Sequence, residues 1–241
     1  MAEQGGSAPV VLVTGAAGGL GRGLVQAFAA GGWRVAAGWH RQPLGLETES
    51  IWPIQLDVTQ AVQARQTVER IRARWGRLDV LVNNAGLTAD APLWQLTLQQ
   101  WETVHAVNLT GAFHCAQAAA ELMLAQRRGH IINIASFVGR TGARGQPAYA
   151  AAKAGLLGLT LALAREWGPH NVQVNAVLPG VLATGMTQPL GPAALERFAQ
   201  ANVLGRLNTV DEVARFVVFV AGLENVSGQI FQLDSRIGRW T

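Results

Sequence analysis

Several residue types that most chains use freely are scarce in this sequence. Its 241 residues include one cysteine and one tyrosine, and charged residues make up only 14% of the chain. The single cysteine, Cys115, excludes an internal disulfide and fits a reducing compartment. Arginine, glycine or glutamine interrupts every apolar stretch before it reaches the length of a membrane span. We therefore expect a cytoplasmic protein without membrane contacts.

The N-terminal segment and the charge distribution exclude further classes. The first nine residues contain a glutamate and glycines rather than the basic and apolar regions of a signal peptide, and residues 1–8 are expected to be flexible. The net charge is +4, but the arginines are scattered and form no stripe with interleaved aromatics, so we predict no nucleic-acid partner. Hydrophobic residues make up 49% of the chain, and no linker or repeat divides it, which predicts one domain over residues 1–241.

The sequence contains one tyrosine and one lysine, and they are four residues apart. They are Tyr149 and Lys153, and that spacing puts both side chains on one face of a helix. A phenol and an ammonium ordinarily titrate near ~10 and ~10.4. A fixed cation beside the phenol lowers the pKa of the phenol toward the range useful for proton transfer. The pair therefore predicts a general acid/base site.

Apolar runs alternate with amphipathic segments along the whole chain. Seven strands are predicted at Val10–Val13, Arg34–Trp39, Trp52–Leu56, Leu78–Val82, His130–Ala135, Val172–Val177 and Gln229–Leu233. Seven helices are predicted at Leu20–Ala30, Thr59–Trp75, Leu98–Val107, Gly111–Ala125, Tyr149–Trp167, Pro192–Ala201 and Val210–Ala221. Such alternation indicates an α/β fold, a doubly wound parallel sheet with helices on both faces.

A glycine-rich turn joins the first strand to the first helix. Gly15 is expected to permit the tight turn, Gly19 to let the backbone approach a pyrophosphate, and Gly21 to let the helix pack on the strand. Polar residues also follow other apolar runs, and in a parallel sheet they meet at the carboxyl edge, where ligands bind. These residues are Thr14, Asp57, Asn83, Ser136 and the pair Pro179-Gly180.

Together these motifs resemble the short-chain dehydrogenase/reductase family. The matching elements are Thr14-Gly15-x-x-x-Gly19-x-Gly21, Asn83-Asn84-Ala85-Gly86, Asn108, Ser136, Tyr149-x-x-x-Lys153 and Pro179-Gly180-x-x-x-Thr184. They keep the family's order and spacing, including thirteen residues from Ser136 to Tyr149. Within the family, residues 84–90, 148–156 and 179–187 are most similar to β-ketoacyl-[acyl carrier protein] reductases. The resemblance implies a single Rossmann-type domain.

The resemblance implies four catalytic residues and no metal. Tyr149 would donate a proton to the substrate carbonyl oxygen, Ser136 would hydrogen-bond that oxygen, and Lys153 would hold the nicotinamide ribose and depress the pKa of Tyr149. Asn108 would position a water that links Lys153 to solvent.

The resemblance also implies a set of cofactor contacts. These are Gly15, Gly19, Leu20, Gly21, His40, Arg41, Asp57, Val58, Asn83, Ala85, Gly86, Tyr149, Lys153, Pro179, Gly180 and Thr184. The end of the second strand reads Trp39-His40-Arg41 and carries no carboxylate for a ribose 2′-hydroxyl, which predicts NADP(H) with Arg41 on the 2′-phosphate.

Other features of the chain concern the substrate and partners. The segments around Leu87–Trp94, Phe137–Gln146 and Ala183–Val203 are expected to wall the substrate pocket, with Phe137, Trp94 and Met186 making it partly apolar. Where the family often ends in Asp-Gly-Gly, this chain reads Asp234-Ser235-Arg236, a change at the pocket rim.

The resemblance implies two kinds of protein partner. Acyl carrier protein would dock near Arg127 and Arg128, although His170 stands where a second arginine is common. Two helices, Ala116–Ala125 and Ala150–Ala164, are apolar on more than one face, and in the family they pair into a homotetramer.

Three functions remain open on the sequence. The first is reduction of a 3-oxoacyl thioester, free or carrier-bound, to the 3-hydroxyacyl thioester, as in fatty acid or polyketide biosynthesis. The second is turnover of another alcohol, sugar or polyketide carbonyl. The third is a non-catalytic regulatory protein that binds a dinucleotide. The complete set Asn108, Ser136, Tyr149 and Lys153 argues against the third.

Overall fold

The computed structural model describes residues 8–237, which build one seven-stranded sheet. The strands are β1 (Val10–Val13), β2 (Arg34–Trp39), β3 (Ile51–Gln55), β4 (Val80–Asn83), β5 (Gly129–Ile134), β6 (Val172–Leu178) and β7 (Ile230–Gln232). The helices are α1 (Gly19–Ala30), α2 (Ala61–Trp75), α3 (Leu98–His105), α4 (Gly111–Gln126), α5 (Val138–Thr141), α6 (Pro147–Trp167), α7 (Pro192–Gln200) and α8 (Val210–Ala221). The predicted flexible segment, residues 1–8, lies outside the described residues except for Ala8, and the single domain over 1–241 stays a prediction.

The winding direction of the sheet switches between β1 and β4, in the middle of the strand order. The order is β3-β2-β1-β4-β5-β6-β7, and every pairing is parallel. After β3 the chain crosses back over β1 to form β4, so β1 and β4 are the neighbours whose following connections leave on opposite faces. Ligands bind at such a switch point, outside the carboxyl ends of the strands. The predicted doubly wound parallel sheet is confirmed.

The two faces of the sheet carry separate apolar cores because side chains alternate along a strand. In β1, Val11 and Val13 belong to the core formed with α1 and α8, whereas Val10 and Leu12 belong to the core formed with α2 and α4. Both faces are therefore covered, and this explains why the strands read as nearly continuous apolar runs in the sequence.

Two local features differ from the predicted elements. Helix α6 begins at Pro147, two residues before the predicted start, because proline is well suited to the first turn of a helix. Between α3 and α4 the chain forms a π-helical turn, Ala106–Thr110, which the sequence pattern did not predict. Such turns are rare and often mark functional sites.

One helical stretch in the described part of the chain, Pro147–His170, is long and apolar enough to cross a membrane. It contains α6, which packs against β6 and α5 and carries Tyr149 and Lys153. The packing of α6 within the layered fold explains why the helix is so apolar, and no membrane is needed to explain it.

A buried histidine on β5 predicts acid sensitivity. The His130 side chain is 3% exposed, its Nε2 lies 2.8 Å from Asn175 Nδ2, and its Nδ1 has no hydrogen-bond partner within residues 8–237. Burial lowers the pKa of His130 from 6.5 to about 4. Between these values the folded state binds fewer protons than the unfolded state, so stability falls as the pH falls. We expect the free energy of unfolding to drop by about 2 kcal/mol between pH 7 and pH 5.

Urea unfolding at the two pH values measures this loss. The variant His130→Gln cannot take up a proton, so its stability should change less between pH 7 and pH 5 than that of the wild type. An equal change in both proteins would show that His130 is not the responsible group.

Candidate active site

A cavity of about 540 Å³ opens at the carboxyl ends of β1, β4, β5 and β6. It is the region in which the fold predicts a ligand. Eleven of the residues predicted for the site line this cavity: Gly15, Gly19, Leu20, Ala85, Gly86, Ser136, Tyr149, Lys153, Pro179, Gly180 and Thr184. The structure therefore brings the glycine-rich turn and the Tyr149–Lys153 pair together around one space.

The glycine-rich turn is closely packed. Gly15 has φ +63°, and a β-carbon on it would lie 2.8 Å from the Ala85 Cα. A β-carbon on Gly21 would lie 2.2 Å from the Gly15 carbonyl oxygen, so Gly21 packs against the turn itself rather than against the strand. A β-carbon on Gly19 would lie 2.7 Å from the Thr184 side chain, so this glycine makes room for the loop across the cavity.

Thr14 and Asn84 fasten this turn to the end of β4. The Thr14 hydroxyl oxygen accepts hydrogen bonds from the backbone N–H groups of Asn84 and Ala85, each at 3.0 Å. The Asn84 amide donates to the carbonyl oxygens of Thr14 at 2.9 Å and Gly15 at 3.2 Å. Neither residue was among the predicted contacts, although both stand in the motifs that carried the resemblance.

The residues present fit a dinucleotide. Helix α1 has twelve residues, its N-cap is Gly18, no side chain caps its first turn, and that turn carries no acidic residue. Its first N–H groups therefore face the cavity with a favourable dipole for a pyrophosphate. The absence of side chains on Gly15 and Gly19 keeps the approach to these groups open.

Ser136 and Tyr149 meet at the end of β5. Ser136 follows β5, and its Oγ accepts a hydrogen bond from the Val138 N–H at 3.3 Å. That contact does not use the hydroxyl proton of Ser136, which points toward Tyr149 and the cavity. Tyr149 enters from the first turn of α6, where Pro147 begins the helix.

Lys153 lies one turn further along α6. Its side chain is buried, and Nζ donates to the Ile134 carbonyl oxygen at 2.7 Å. Nζ lies 5.7 Å from the centroid of the Tyr149 ring. Helix α5 packs closely against α6 at this point. Gly139 makes this packing possible, because a β-carbon there would lie 2.8 Å from the backbone of Lys153 and Ala154.

The pKa of Tyr149 departs from the sequence-based expectation. Burial raises it to about 12, the hydrogen-bonding Ser136 hydroxyl lowers it, and the Asp90 carboxylate raises it. The expectation that Lys153 depresses this pKa is not met, since the ammonium is engaged with Ile134 and burial is the dominant effect. Burial also lowers the pKa of Lys153 to about 8. The phenol is therefore protonated throughout the neutral range, the form required of a general acid.

Asn108 lies in the π-helical turn and is fixed by its amide group. Nδ2 donates to the carbonyl oxygens of Leu87 at 2.9 Å and Val104 at 2.8 Å. Oδ1 is buried and has no partner within the described residues. A β-carbon on Gly86 would lie 2.8 Å from Oδ1 and 3.7 Å from the Lys153 Nζ, so these two polar atoms share one small space.

The predicted adenosine contacts are only partly brought to the site. The His40 Nε2 and the Asp57 Oδ2 lie 3.4 Å apart, and both residues line a second, polar cavity. Arg41 is exposed near this edge, and Val58 is buried under Gly111.

Asn83 does not face the cavity. Its side chain is buried, and Nδ2 donates to the Asn133 Oδ1 at 2.9 Å inside the sheet. Asn83 shares a sheet face with Leu81, two residues earlier, and this alternation buries it. Asn84 reaches the cavity instead.

The predicted pocket walls are largely correct in segment but not in every side chain. Phe137 and Met186 line the cavity, whereas Trp94 is 81% exposed and does not. The predicted segments contribute further lining residues that were not singled out, which are Thr88, Asp90, Val138, Gln146, Thr187, Leu190 and Phe198, and two lining residues outside the segments, Gln42 and Leu182, were missed. Most lie on loops, where no periodicity shows which side chains turn inward.

Arg127 and Arg128 lie at the opposite edge of the sheet from the cavity. They precede β5, whereas Ser136 follows it, and a six-residue strand separates the two ends by about 20 Å. The Arg127 guanidinium donates to the Pro169 carbonyl oxygen at 3.2 Å, which places it beside His170. The docking position predicted at Arg127 and Arg128 therefore lies away from the cavity of its own chain.

At the switch point, a glycine-rich turn that fits a dinucleotide lies beside a buried Tyr–Lys pair and a serine hydroxyl. This arrangement defines a nicotinamide-dependent oxidoreductase. Residues 9–195 match the family model described as short chain dehydrogenase. The chain belongs to the short-chain dehydrogenase family.

Relatives and solved structures support this assignment over nearly the whole chain. The 3-oxoacyl-[acyl-carrier-protein] reductase FabG of Thermotoga maritima is 40% identical over 235 residues, which cover 93% of this chain and 96% of that protein. The 3-oxoacyl-[acyl-carrier-protein] reductase of Synechocystis is 37% identical and covers 95% of this chain and 96% of its own. The structure "ElxO with NADP Bound" superposes with a TM-score of 0.89 at 27% identity, covering 95% of this chain and 98% of that one.

Proposed function

We propose that this protein reduces 3-oxoacyl thioesters to 3-hydroxyacyl thioesters with NADPH. The observation that carries the proposal is the convergence of Ser136, Tyr149 and Lys153 on the cavity that the glycine-rich turn also lines. The relatives named 3-oxoacyl-[acyl-carrier-protein] reductase at 37–40% identity support this substrate class, and the NADP in the ElxO structure supports the cofactor.

Each polar group has a defined task in this proposal. NADPH, when bound, would supply the hydride. The hydroxyl group of Ser136 would donate its proton in a hydrogen bond to the carbonyl oxygen and fix the distance of that oxygen from Tyr149. Tyr149, whose pKa is about 12, transfers its proton to that oxygen as the alcohol forms.

Lys153 and Asn108 then restore the proton of Tyr149. The Lys153 ammonium, with a pKa lowered to about 8, can release a proton more readily than an exposed lysine. The unpaired Oδ1 of Asn108 lies beside it and provides an acceptor that can hold a water between Lys153 and solvent.

Oxidation of NADPH with an acetoacetyl thioester tests the function, with simple ketones and sugars as the comparison panel. We expect the thioester to give the highest kcat/KM. A higher kcat/KM on another carbonyl would favour the second function left open by the sequence. No turnover with any carbonyl, together with cofactor binding, would favour a regulatory dinucleotide-binding protein.

The cofactor preference is a separate prediction. No carboxylate ends β2, and the side chain of Asp57, which follows β3, is already in contact with His40. The exposed Arg41 can therefore meet a 2′-phosphate. We expect kcat/KM with NADPH to exceed that with NADH by at least about tenfold, and Arg41→Ala to remove about that much from NADPH alone. Equal or better efficiency with NADH in the wild type would contradict this prediction.

Assembly is the next prediction. Phe113 on α4 and Leu161 on α6 are 44% and 43% exposed, which leaves apolar surface on the two helices predicted to pair. We expect light scattering to give four times the 25.6 kDa mass of the chain. Leu161→Glu should shift this mass downward, whereas Glu166→Gln on the same helix should not. A monomer mass for the wild type at micromolar concentration would refute the tetramer.

Carrier docking and localisation complete the proposal. A carrier bound at Arg127 and Arg128 lies too far from the cavity of its own chain, so docking there would have to serve a second subunit of the tetramer.

We propose a cytoplasmic location, which agrees with the buried, free thiol of Cys115.

A further inference from the structure

The segment after β7 folds back toward the cavity through a buried ion pair. The side chains of Asp234 and Arg236 are 2% and 16% exposed, and the Arg236 Nε donates to the Asp234 Oδ2 at 2.6 Å. The other carboxylate oxygen accepts a hydrogen bond from the Gln232 amide at 2.7 Å. A buried carboxylate without its cation is strongly unfavourable, so Asp234 fixes the position of the Arg236 side chain.

The guanidinium fixed in this way covers an aromatic ring of the pocket wall. The Arg236 Cζ lies 3.3 Å from the centroid of the Phe137 ring. Phe137 lines the cavity and directly follows Ser136, which the proposed reaction uses to hold the carbonyl oxygen. A planar guanidinium stacked on a ring restricts the rotation of that ring more than a flexible ammonium does.

The same segment contacts two other parts of the cavity wall. A β-carbon on Gly180 would lie 2.8 Å from the Asp234 Cβ, so Asp234 packs directly behind the turn after β6. The Ser235 Oγ accepts a hydrogen bond from the Leu204 N–H at 3.2 Å, and the Ser235 N–H donates to the Asn202 Oδ1 at 3.0 Å. Residues 234–236 thus join the wall beside Ser136, the turn at Gly180 and the loop after α7.

We propose that Arg236 is a positioning residue that holds Phe137 against the substrate and so limits the size of the group beside the reacting carbonyl. The inference rests on the proposed function as a ketone reductase. The family pattern Asp-Gly-Gly offers no side chain at the position of Arg236, so the device belongs to this chain rather than to the pattern it resembles.

Arg236→Lys tests the role while keeping a cation for Asp234. Steady-state rates are measured with two N-acetylcysteamine thioesters, acetoacetyl and 3-oxooctanoyl. We expect KM for the acetoacetyl thioester to rise while its kcat stays within about threefold, because Ser136, Tyr149 and Lys153 are untouched. The ratio of kcat/KM for the large substrate to that for the small one should rise about tenfold.

A matched control separates this effect from a general loss of stability. Arg215 forms an ion pair with Asp211 on the exposed face of α8 at 3.0 Å, and Arg215→Lys should leave the ratio unchanged. Phe137→Leu should raise the ratio by itself, and the double variant Phe137→Leu/Arg236→Lys should raise it no further than the larger single effect.

Two results would overturn the inference, and a third concerns the function. If Arg236→Lys lowers kcat/KM equally for both thioesters, or if the two substitutions are additive in the ratio, Arg236 does not act through Phe137. If the wild type reduces neither thioester, the proposed function fails. The ratio is then measured with 2-butanone and 2-octanone, and an unchanged ratio in Arg236→Lys would overturn the positioning role as well.

Discussion

Lys153→Arg is expected to lower kcat by about 10²–10⁴ while the protein stays folded. The Nζ atom is buried, donates to the Ile134 carbonyl oxygen at 2.7 Å and shares a small space with the Asn108 Oδ1. A guanidinium is planar, bulkier and far harder to deprotonate than an ammonium, so it can neither fill this space nor pass on a proton. The net charge is unchanged by the substitution. A role limited to charge would therefore survive it.

The measurement compares kcat on the substrate found for the wild type. Arg165→Lys on the exposed surface of the same helix is the matched control, because it makes the reverse exchange away from the site and should leave kcat unchanged. Thermal unfolding and NADPH fluorescence titration establish that the Lys153 variant is folded and how well it binds the cofactor. Wild-type turnover in Lys153→Arg would show that Lys153 is not catalytic.

Gly21→Ala is expected to weaken NADPH binding by about 10- to 100-fold. The added β-carbon would lie 2.2 Å from the Gly15 carbonyl oxygen and 2.8 Å from the Ala16 Cα, and both are backbone atoms that cannot rotate away. The turn must therefore shift, and overpacking of this kind costs about 1–3 kcal/mol. Because the same turn presents the N–H groups of α1 to the pyrophosphate, the loss should appear in cofactor affinity as well as in stability.

Gly18→Ala provides the comparison within the same turn. A β-carbon on Gly18 has its nearest neighbour at 3.4 Å, the Gly15 carbonyl oxygen, and Gly18 has a φ of −72° that alanine adopts without strain. Its midpoint of thermal unfolding should stay close to that of the wild type, whereas that of Gly21→Ala should fall. Equal midpoints for the two variants would contradict the packing argument.

The sheet and most of the site could be predicted because their signals are local. Parallel strands covered on both faces read as apolar runs, and the groups that meet at the carboxyl edge each follow such a run. Ser136 was found in this way, Tyr149 and Lys153 were found by their four-residue spacing on a helix, and all three lie on one cavity. The alternation of Asn83 with Leu81 indicates a buried side chain, and the cofactor contact of Asn83 stays a prediction.

Other features depend on contacts that no local pattern carries. The stacking of Arg236 on Phe137 joins residues that are far apart in the sequence, and the π-helical turn at Ala106–Thr110 interrupts an otherwise ordinary helical pattern. The pKa of Tyr149 depends mainly on how deeply its ring is buried, and the four-residue spacing to Lys153 does not reveal that burial.

The strand order has a consequence for how the chain is made. Every strand except β4 pairs with the strand synthesised just before it, and β4 pairs with β1, so the sheet can grow first on one side of β1 and then on the other as the polypeptide leaves the ribosome. The cavity, however, needs Gly15 from the first strand-to-helix turn and Thr184 from the loop after β6. NADPH can therefore stabilise the nascent protein only after about three quarters of it has been synthesised, at a stage when the core that α8 completes on one face of the sheet is still open.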